Sequence, residues 1–329
     1  MAEVVGGALP LPAGAEVGVV AYGLNGEAMA ACSGGTVAVL RRSPAAAADA
    51  PGAAGWEEEG AFEAAAGGGA VVLAAWAHHE FGEVLATVAA DGALRFWENL
   101  GPGQARAPGA AAPRLLRGAG RWVLLAQARV SAEAVRCIAF APPQHGLRLA
   151  AGADDGAVRV FEGKPVFHPT AWAVAHQFQP KAGAGCVSLA WRPVGDPGLP
   201  AMMLVGTTAG AFVCAFDGRR AKWAAVAEVP LAEGTVVADV HWAPATGRAH
   251  ELAALAVSNW AVVLQLSGDP DALEVEKAAE FEHPAQVFQV EWNLTGTALA
   301  TSAADGQGRI WKEDALGKWG LAATIETGE

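Results

Sequence analysis

The sequence predicts an all-β fold, a six-bladed β-propeller, on the basis of three observations. A repeat made of an apolar strand ending in an aromatic residue, a second apolar strand, a turn and a third strand occurs six times in the 329 residues. Of the 12 tryptophans, all but Trp260 stand at matching positions in these repeats. Hydrophobic residues make up 53% of the chain, which suits four-stranded blades that bury both faces.

The second repeat shows the pattern most clearly. Its strands run over residues 71–76, 84–88 and 93–98, with Asp91 in the turn before the third strand. The third and sixth repeats keep this order. The fourth and fifth keep the strands with less regular turns, and the first, which begins at residue 17, is the weakest. Together the six repeats predict a propeller of the WD-repeat type.

The tryptophan positions fix the register of the repeats. First strands end at Trp76, Trp191, Trp242 and Trp292, and third strands end at Trp97 and Trp311. A fourth strand opens at Trp56, Trp122, Trp172, Trp223 and Trp319. From a fourth-strand tryptophan to the next first-strand aromatic residue the separation is 18 to 20 residues, whereas the stretch before the fourth strand varies from 7 to 25. We therefore expect the loops of variable length between third and fourth strands.

The predicted organisation is an N-terminal extension over residues 1–16 and one propeller over 17–329. We expect the blades at about 17–63, 70–128, 134–178, 186–229, 236–282 and 287–326. The connections over 43–55 and 100–120 are rich in Ala, Gly and Pro, a composition typical of surface segments that need not be ordered. We expect no functional site in either connection.

The two ends of the chain predict an open ring. The last blade has its own fourth strand over residues 319–325, and residues 8–13 contain two prolines and make a poor strand. Neither end is therefore expected to complete the blade of the other. A blade face left unpaired in this way is an apolar surface to which a partner could add strands.

The composition argues against several classes of function. A net charge of −12 opposes binding to a phosphate backbone, so nucleic acid is not an expected partner. Every apolar stretch is interrupted well short of the roughly 18 residues that a spanning helix needs, so no membrane insertion is expected. The N-terminal residues do not have the pattern of a secretory signal. The four cysteines lie far apart, which favours buried free thiols in a reducing compartment.

No motif in the sequence predicts catalysis, a metal or a cofactor. The run His78, His79, Glu80 lacks the spacing of a zinc hydrolase and is interpreted as a loop. Asp91, Asp155 and Asp305 precede glycines in equivalent turns, where a carboxylate can bond the neighbouring backbone amides. The glycosylation triplet that begins at residue 293 is interpreted as a turn. An enzyme with a site in the central channel remains the alternative from another class.

Several segments resemble the Sec-thirteen-homologue nucleoporins, the small WD-repeat subunits of the Y-shaped nuclear pore scaffold. The segments are WAHHEFGEVLA at 76–86, FAP at 140–142 with HGL at 145–147, AP at 243–244 with GR at 247–248 and His250, and WNLTGTALA at 292–300. The first is also similar to the paralogous vesicle-coat propeller, whereas the later ones favour the nucleoporin. The chain departs from the family at His79, where a proline is usual, and at residues 33–35, where the turn lacks its Asp.

The resemblance implies an open propeller completed in trans by a blade from an α-solenoid scaffold nucleoporin, wedged between blades one and six. It also implies a location at the nuclear pore, other Y-complex nucleoporins as partners and, in some lineages, a nutrient-signalling complex on lysosomal or vacuolar membranes. A vesicle-coat subunit is the alternative within the scaffold class. The partner contacts that we predict are Val19, Tyr22, Val37, Val39, Ile310 and Trp311.

Overall fold

The computed structural model describes most of the chain. The described residues are 16–23, 26–42, 55–65, 69–100, 115–118, 122–164, 168–193, 199–244, 248, 250–314 and 316–326. They contain 25 strands and a few short 3₁₀ turns. Within these ranges there is no helix of the length and apolar character needed to cross a membrane. Residues 8–13, which we expected to be a poor strand, lie outside the described residues.

The strands form six blades. Blade one holds β1 (Val19–Tyr22), β2 (Ala28–Ser33), β3 (Thr36–Arg42) and β4 (Trp56–Glu63). Blade two holds β5 (Val71–Trp76), β6 (Val84–Ala89), β7 (Ala93–Asn99) and β9 (Trp122–Arg129), with β8 (Leu115–Gly118) between its last two strands in the chain. Blade three holds β10 (Val135–Phe140), β11 (Arg148–Ala153), β12 (Val158–Lys164) and β13 (His168–Phe178).

The remaining three blades follow the same plan. Blade four holds β14 (Cys186–Trp191), β15 (Met202–Thr207), β16 (Gly210–Asp217) and β17 (Lys222–Glu228). Blade five holds β18 (Val237–Trp242), β19 (Glu251–Val257), β20 (Trp260–Ser267) and β21 (Glu274–Glu282). Blade six holds β22 (Val287–Trp292), β23 (Ala298–Ala303), β24 (Gln307–Glu313) and β25 (Trp319–Glu326).

In every sheet the four blade strands are neighbours in chain order, and this confirms the predicted fold class, an all-β six-bladed propeller. Two compact units make up the chain. The first contains blades one and two with residues 135–143, 147–149 and 161–173, and the second contains the rest of blade three with blades four to six. Blade six includes no strand from elsewhere among the described residues, because its sheet consists of β22 to β25 alone.

One strand was not predicted. β8 lies within the connection over 100–120, which the sequence indicates as a surface segment that need not be ordered, and it pairs antiparallel with β4 of blade one. The backbone partners are Gly60 with Gly118 and Ala61 with Arg117. The long connection of blade two therefore adds a fifth, outermost strand to blade one and covers an edge that would otherwise leave unpaired amides.

Tryptophan pairs connect the first and fourth strands within three of the blades. In blades two, four and six the first-strand and fourth-strand tryptophans meet edge to face, with ring centroids 5.7 Å apart in each case. The pairs are Trp76 with Trp122, Trp191 with Trp223, and Trp292 with Trp319. Such edge-to-face pairs add about 0.5–1.5 kcal/mol to the area that the rings bury. The spacing of tryptophans in the sequence thus reflects contacts within a blade as well as between blades.

In the second unit, polar side chains join the first strands of neighbouring blades. The Asp239 carboxylate of β18 accepts hydrogen bonds from the Ser188 hydroxyl of β14 at 2.7 Å and from the Val290 N–H of β22 at 3.0 Å. His241 Nδ1 accepts the Trp292 N–H at 2.8 Å. Burial raises the pKa of Asp239, and loss of water from around its ring lowers the pKa of His241 to about 4. One strand of blade five is therefore fixed to both of its neighbours.

Candidate binding surface

One face of blade six is open to solvent. We call this surface the open face, and it consists of two rows of residues that are paired across the four strands. The first row is Glu291, Ala300, Ile310 and Ala323, and the second row is Gln289, Ser302, Gly308 and Ile325. Four of these residues are exposed: Gln289 and Glu291 of β22, Ala323 of β25, and Ser302 in the middle of the sheet. Ala300, Gly308, Ile310 and Ile325 are half-buried. Water therefore reaches the second and third strands of this blade.

The same face is covered in blades two, four and five. In blade two the matching second- and third-strand residues include Ala86, Val88 and Phe96, and all are buried. In blade four Leu204 and Val213 are buried in one cluster with residues of blade five. In blade five the matching face, Ala254, Ala256, Ala261 and Val263, is buried in one cluster with residues of blade six. This face is thus the one that packs on the next blade, and in blade six it is exposed.

The opposite face of blade six is packed against blade five. Val290 and Leu299 are buried in the cluster shared with blade five, and Trp311 lies against it. Trp311 stacks on Phe281 of β21 with ring centroids 4.2 Å apart and planes 6° from parallel. Of the two predicted contact residues in β24, Trp311 therefore faces blade five and Ile310 lies on the open face.

The predicted contacts in blade one fall on two different surfaces. Val37 and Val39 are fully buried in the cluster that blade one shares with blade two, and Val19 is packed against that cluster. Tyr22 is 61% exposed, with its ring 6.0 Å from that of Trp56. Partner contact at these four residues stays a prediction, and Tyr22 is the one whose side chain is most accessible.

The turn carboxylates have the structural role that the sequence predicts. Asp91, Asp155 and Asp305 each accept a hydrogen bond from the backbone N–H two residues later, at 2.9, 3.0 and 3.1 Å. The glycine that follows each of them has a φ of 73° to 77°, in the left-handed region that favours glycine. The Asp-Gly pairs of the repeats therefore fix the turns between second and third strands.

Each of these carboxylates also forms an ion pair that the sequence analysis missed. The partners are largely buried arginines four residues later, at N–O distances of 3.3, 2.7 and 2.5 Å, and they are Arg95, Arg159 and Arg309. The hydrogen bond from Arg309 holds the pKa of Asp305 below its usual value, and the N–H of Ala93 does the same for the pKa of Asp91. The signal in the sequence was the spacing Asp-x-x-x-Arg at three equivalent turns.

Replacing Asp155 with alanine is expected to lower the free energy of unfolding by about 1–3 kcal/mol, because the Arg159 guanidinium would lose its partner while remaining largely buried. Urea denaturation measures the loss. The control is Asp271→Ala, at an exposed residue of a 3₁₀ turn, for which less than about 0.5 kcal/mol is expected. Equal losses at both positions would contradict the structural role of Asp155.

The other candidates from the sequence are ordinary structural groups. Residues 79–81 form a short 3₁₀ turn, and His78 Nδ1 accepts the Glu80 N–H at 3.4 Å. The side-chain oxygen of Asn293 accepts the Thr297 N–H at 2.8 Å, so the triplet at 293 lies in a turn, as predicted. In the described part of the chain no three His, Cys, Asp or Glu residues are placed to hold a metal ion.

The cysteines agree with the prediction of buried free thiols. Cys32, Cys186 and Cys214 are buried, and Cys137 is half-buried; none of the four forms a disulfide. Burial raises the pKa of Cys32 to about 12, and it also raises the pKa of Cys214. At neutral pH these two thiols are uncharged and unreactive.

The fold defines a propeller of the WD-repeat type, with one face of blade six open to solvent. No model of a known protein family matches the chain. Its sequence is 32% identical to nucleoporin SEH1 of Bos taurus and of Homo sapiens over 259 residues, 74% of this chain and 69% of each relative. Nucleoporin SEH1-A of Xenopus laevis is 30% identical over 260 residues, with the same shares. The chain belongs to the nucleoporin SEH1 family.

Solved structures with less similar sequences share the fold. The Dos1 propeller is 14% identical with a TM-score of 0.59, and the match covers 96% of this chain and 73% of that one. Sqt1 of Chaetomium thermophilum is 15% identical with a TM-score of 0.63, covering 95% of this chain and 75% of that one. At this level of identity the likeness supports the propeller fold alone.

Proposed function

We propose that the chain is a non-enzymatic scaffold subunit of the Y-shaped nuclear pore complex at the nuclear envelope. Its membership of the nucleoporin SEH1 family supports this function. The observation that carries the proposal is the open face of blade six, where a face that is covered in blades two, four and five is left to solvent. An unpaired sheet face of this kind marks a protein interaction site.

The partner that we propose for this face is a β-blade supplied in trans by an α-solenoid scaffold nucleoporin. A sheet packs on another sheet at about 10 Å, so a further blade would cover both rows of the open face as each blade covers the preceding one. Binding of this kind uses apolar packing and needs no cofactor. Other Y-complex nucleoporins, and the membrane, would be contacted through that partner.

Co-expression of the full chain with candidate α-solenoid nucleoporins tests the proposal. Size exclusion with light scattering is expected to show a stable stoichiometric complex with one of them. Ile310→Asp would place an unpaired charge in the covered face and should remove the complex, whereas Val226→Asp, at a 37% exposed residue of β17 in blade four, should leave it intact. Exclusive assembly with a vesicle-coat solenoid, or with none, would contradict a nuclear pore function.

A further inference from the structure

The fourth strands of four blades carry a bulky apolar residue at one equivalent position. In blades one, three and six this residue stands six positions after the fourth-strand tryptophan; the three are Phe62, Phe178 and Ile325. In blade five it is Phe281, whose pairing with the third strand matches that of Ile325. Phe281 and Ile325 each pair with a small residue of the third strand, Ala261 and Gly308. Three of the four are therefore phenylalanine, and the last blade has isoleucine.

Each of the three phenylalanines contacts the fourth-strand tryptophan of the next blade. Phe62 stacks on Trp122 at 5.3 Å and 23°. Phe178 stacks on Trp223 at 5.4 Å and 14°. Phe281 meets Trp319 at 5.9 Å. Three joins between consecutive blades thus use the same contact, an apolar residue of the fourth strand against a large aromatic ring of the following blade.

Ile325 stands at this position with its surface only half-buried. Its neighbour in β24 is Gly308, where an added Cβ would lie 3.7 Å from the Ile325 Cβ. Gly308 has no side chain to cover the part of Ile325 that lies toward β24. Ile310, two residues along β24 on the same face, lies beside this uncovered part. Blade six thus presents the apolar half of the repeated contact together with room for a ring.

We propose that the covering blade of the partner places a large aromatic side chain, a tryptophan by analogy with the internal joins, from its outermost strand onto Ile325. This inference rests on the proposed function, since it names the chemistry of the residue that the partner contributes. The ring would lie over Gly308 and against Ile310, and it would take the place that Trp319 occupies on Phe281. A phenylalanine at position 325 would suit the same ring.

Recovery of the α-solenoid nucleoporin with tagged full chain tests the contact. Ile325→Asp is expected to lower recovery by about tenfold or more, while Ile325→Phe retains it. Val226→Asp, at a 37% exposed residue of β17 in blade four, is the control for an added charge. Thermal melting of Ile325→Asp within a few degrees of the unchanged chain would show that the fold is intact, because Ile325 lies on a largely exposed strand.

Photo-cross-linking identifies the partner residue. With p-benzoyl-phenylalanine in place of Ile325, the cross-linked peptide of the solenoid is expected to contain a Trp, Phe or Tyr in a predicted strand. A cross-link to a polar segment without an aromatic residue, or full recovery with Ile325→Asp, would overturn the inference while leaving the proposed function standing. Failure of the unchanged chain to recover any α-solenoid nucleoporin would overturn both.

Discussion

Replacing Phe62 with alanine should lower the free energy of unfolding by about 3–5 kcal/mol. Phe62 is 0% exposed and its ring lies 4.9 Å from that of Trp97 and 5.3 Å from that of Trp122. The substitution would leave a cavity between blades one and two and remove two aromatic contacts. Because the cluster also contains Val37, Val39 and Leu85, the surrounding side chains have little freedom to fill the space.

Urea denaturation followed by tryptophan fluorescence and by circular dichroism measures this loss. The matched control is Phe288→Ala, the same chemical change at a 52% exposed residue, for which less than about 1 kcal/mol is expected. Losses of similar size at both positions would mean that the join between blades one and two contributes little, and that the stacked rings are not a main source of stability.

The sequence predicts the strands and their order well because blade strands have a strong local signal. Apolar runs bounded by turns, with Asp91, Asp155 and Asp305 before glycine, place the second and third strands correctly. The strand β8 is different, because its partner β4 lies some fifty residues earlier in the chain and its own segment has no repeat spacing. Pairing over such a distance depends on tertiary structure, which local composition does not encode.

The sequence places the predicted contact residues in strands but does not indicate which face of the blade each side chain occupies. A strand that is buried on both faces appears as a continuous apolar run, so the sequence does not indicate which neighbour each side chain meets. Val37 and Val39 were chosen for a partner and lie against blade two, while Ile310 lies on the open face. The six-residue spacing from Trp319 to Ile325 was present in the sequence, but its meaning required the ring contacts of the other blades.

His241 should make the protein sensitive to mild acid. Its Nδ1 accepts the Trp292 N–H, a bond that only the neutral ring can form, and loss of water from around the ring lowers its pKa to about 4. In the unfolded chain the pKa of histidine is about 6.5. The stability that the neutral ring contributes is therefore fully present above about pH 6.5 and is lost as the pH falls towards 4.

The loss of stability can reach about 2–3 kcal/mol at pH 4, since a tenfold change in proton affinity on folding corresponds to about 1.4 kcal/mol and the side chain keeps some exposure. Burial also lowers the pKa of His283, whose Nε2 lies 2.8 Å from the Thr301 hydroxyl, and this group acts in the same direction. Asp239 opposes the effect. Its pKa is raised, so protonation of its carboxylate favours the folded state as the pH falls.

Urea midpoints at pH 7.5, 6.0 and 5.0 measure this dependence, and His241→Asn isolates the contribution of one histidine. The asparagine oxygen can accept the same Trp292 N–H but does not titrate, so the variant should lose less stability between pH 7.5 and 5.0 than the unchanged chain. An identical slope in both proteins would assign the acid sensitivity to His283 or to the carboxylates. A smaller slope would locate it at the join between blades five and six, which holds the blade that carries the open face.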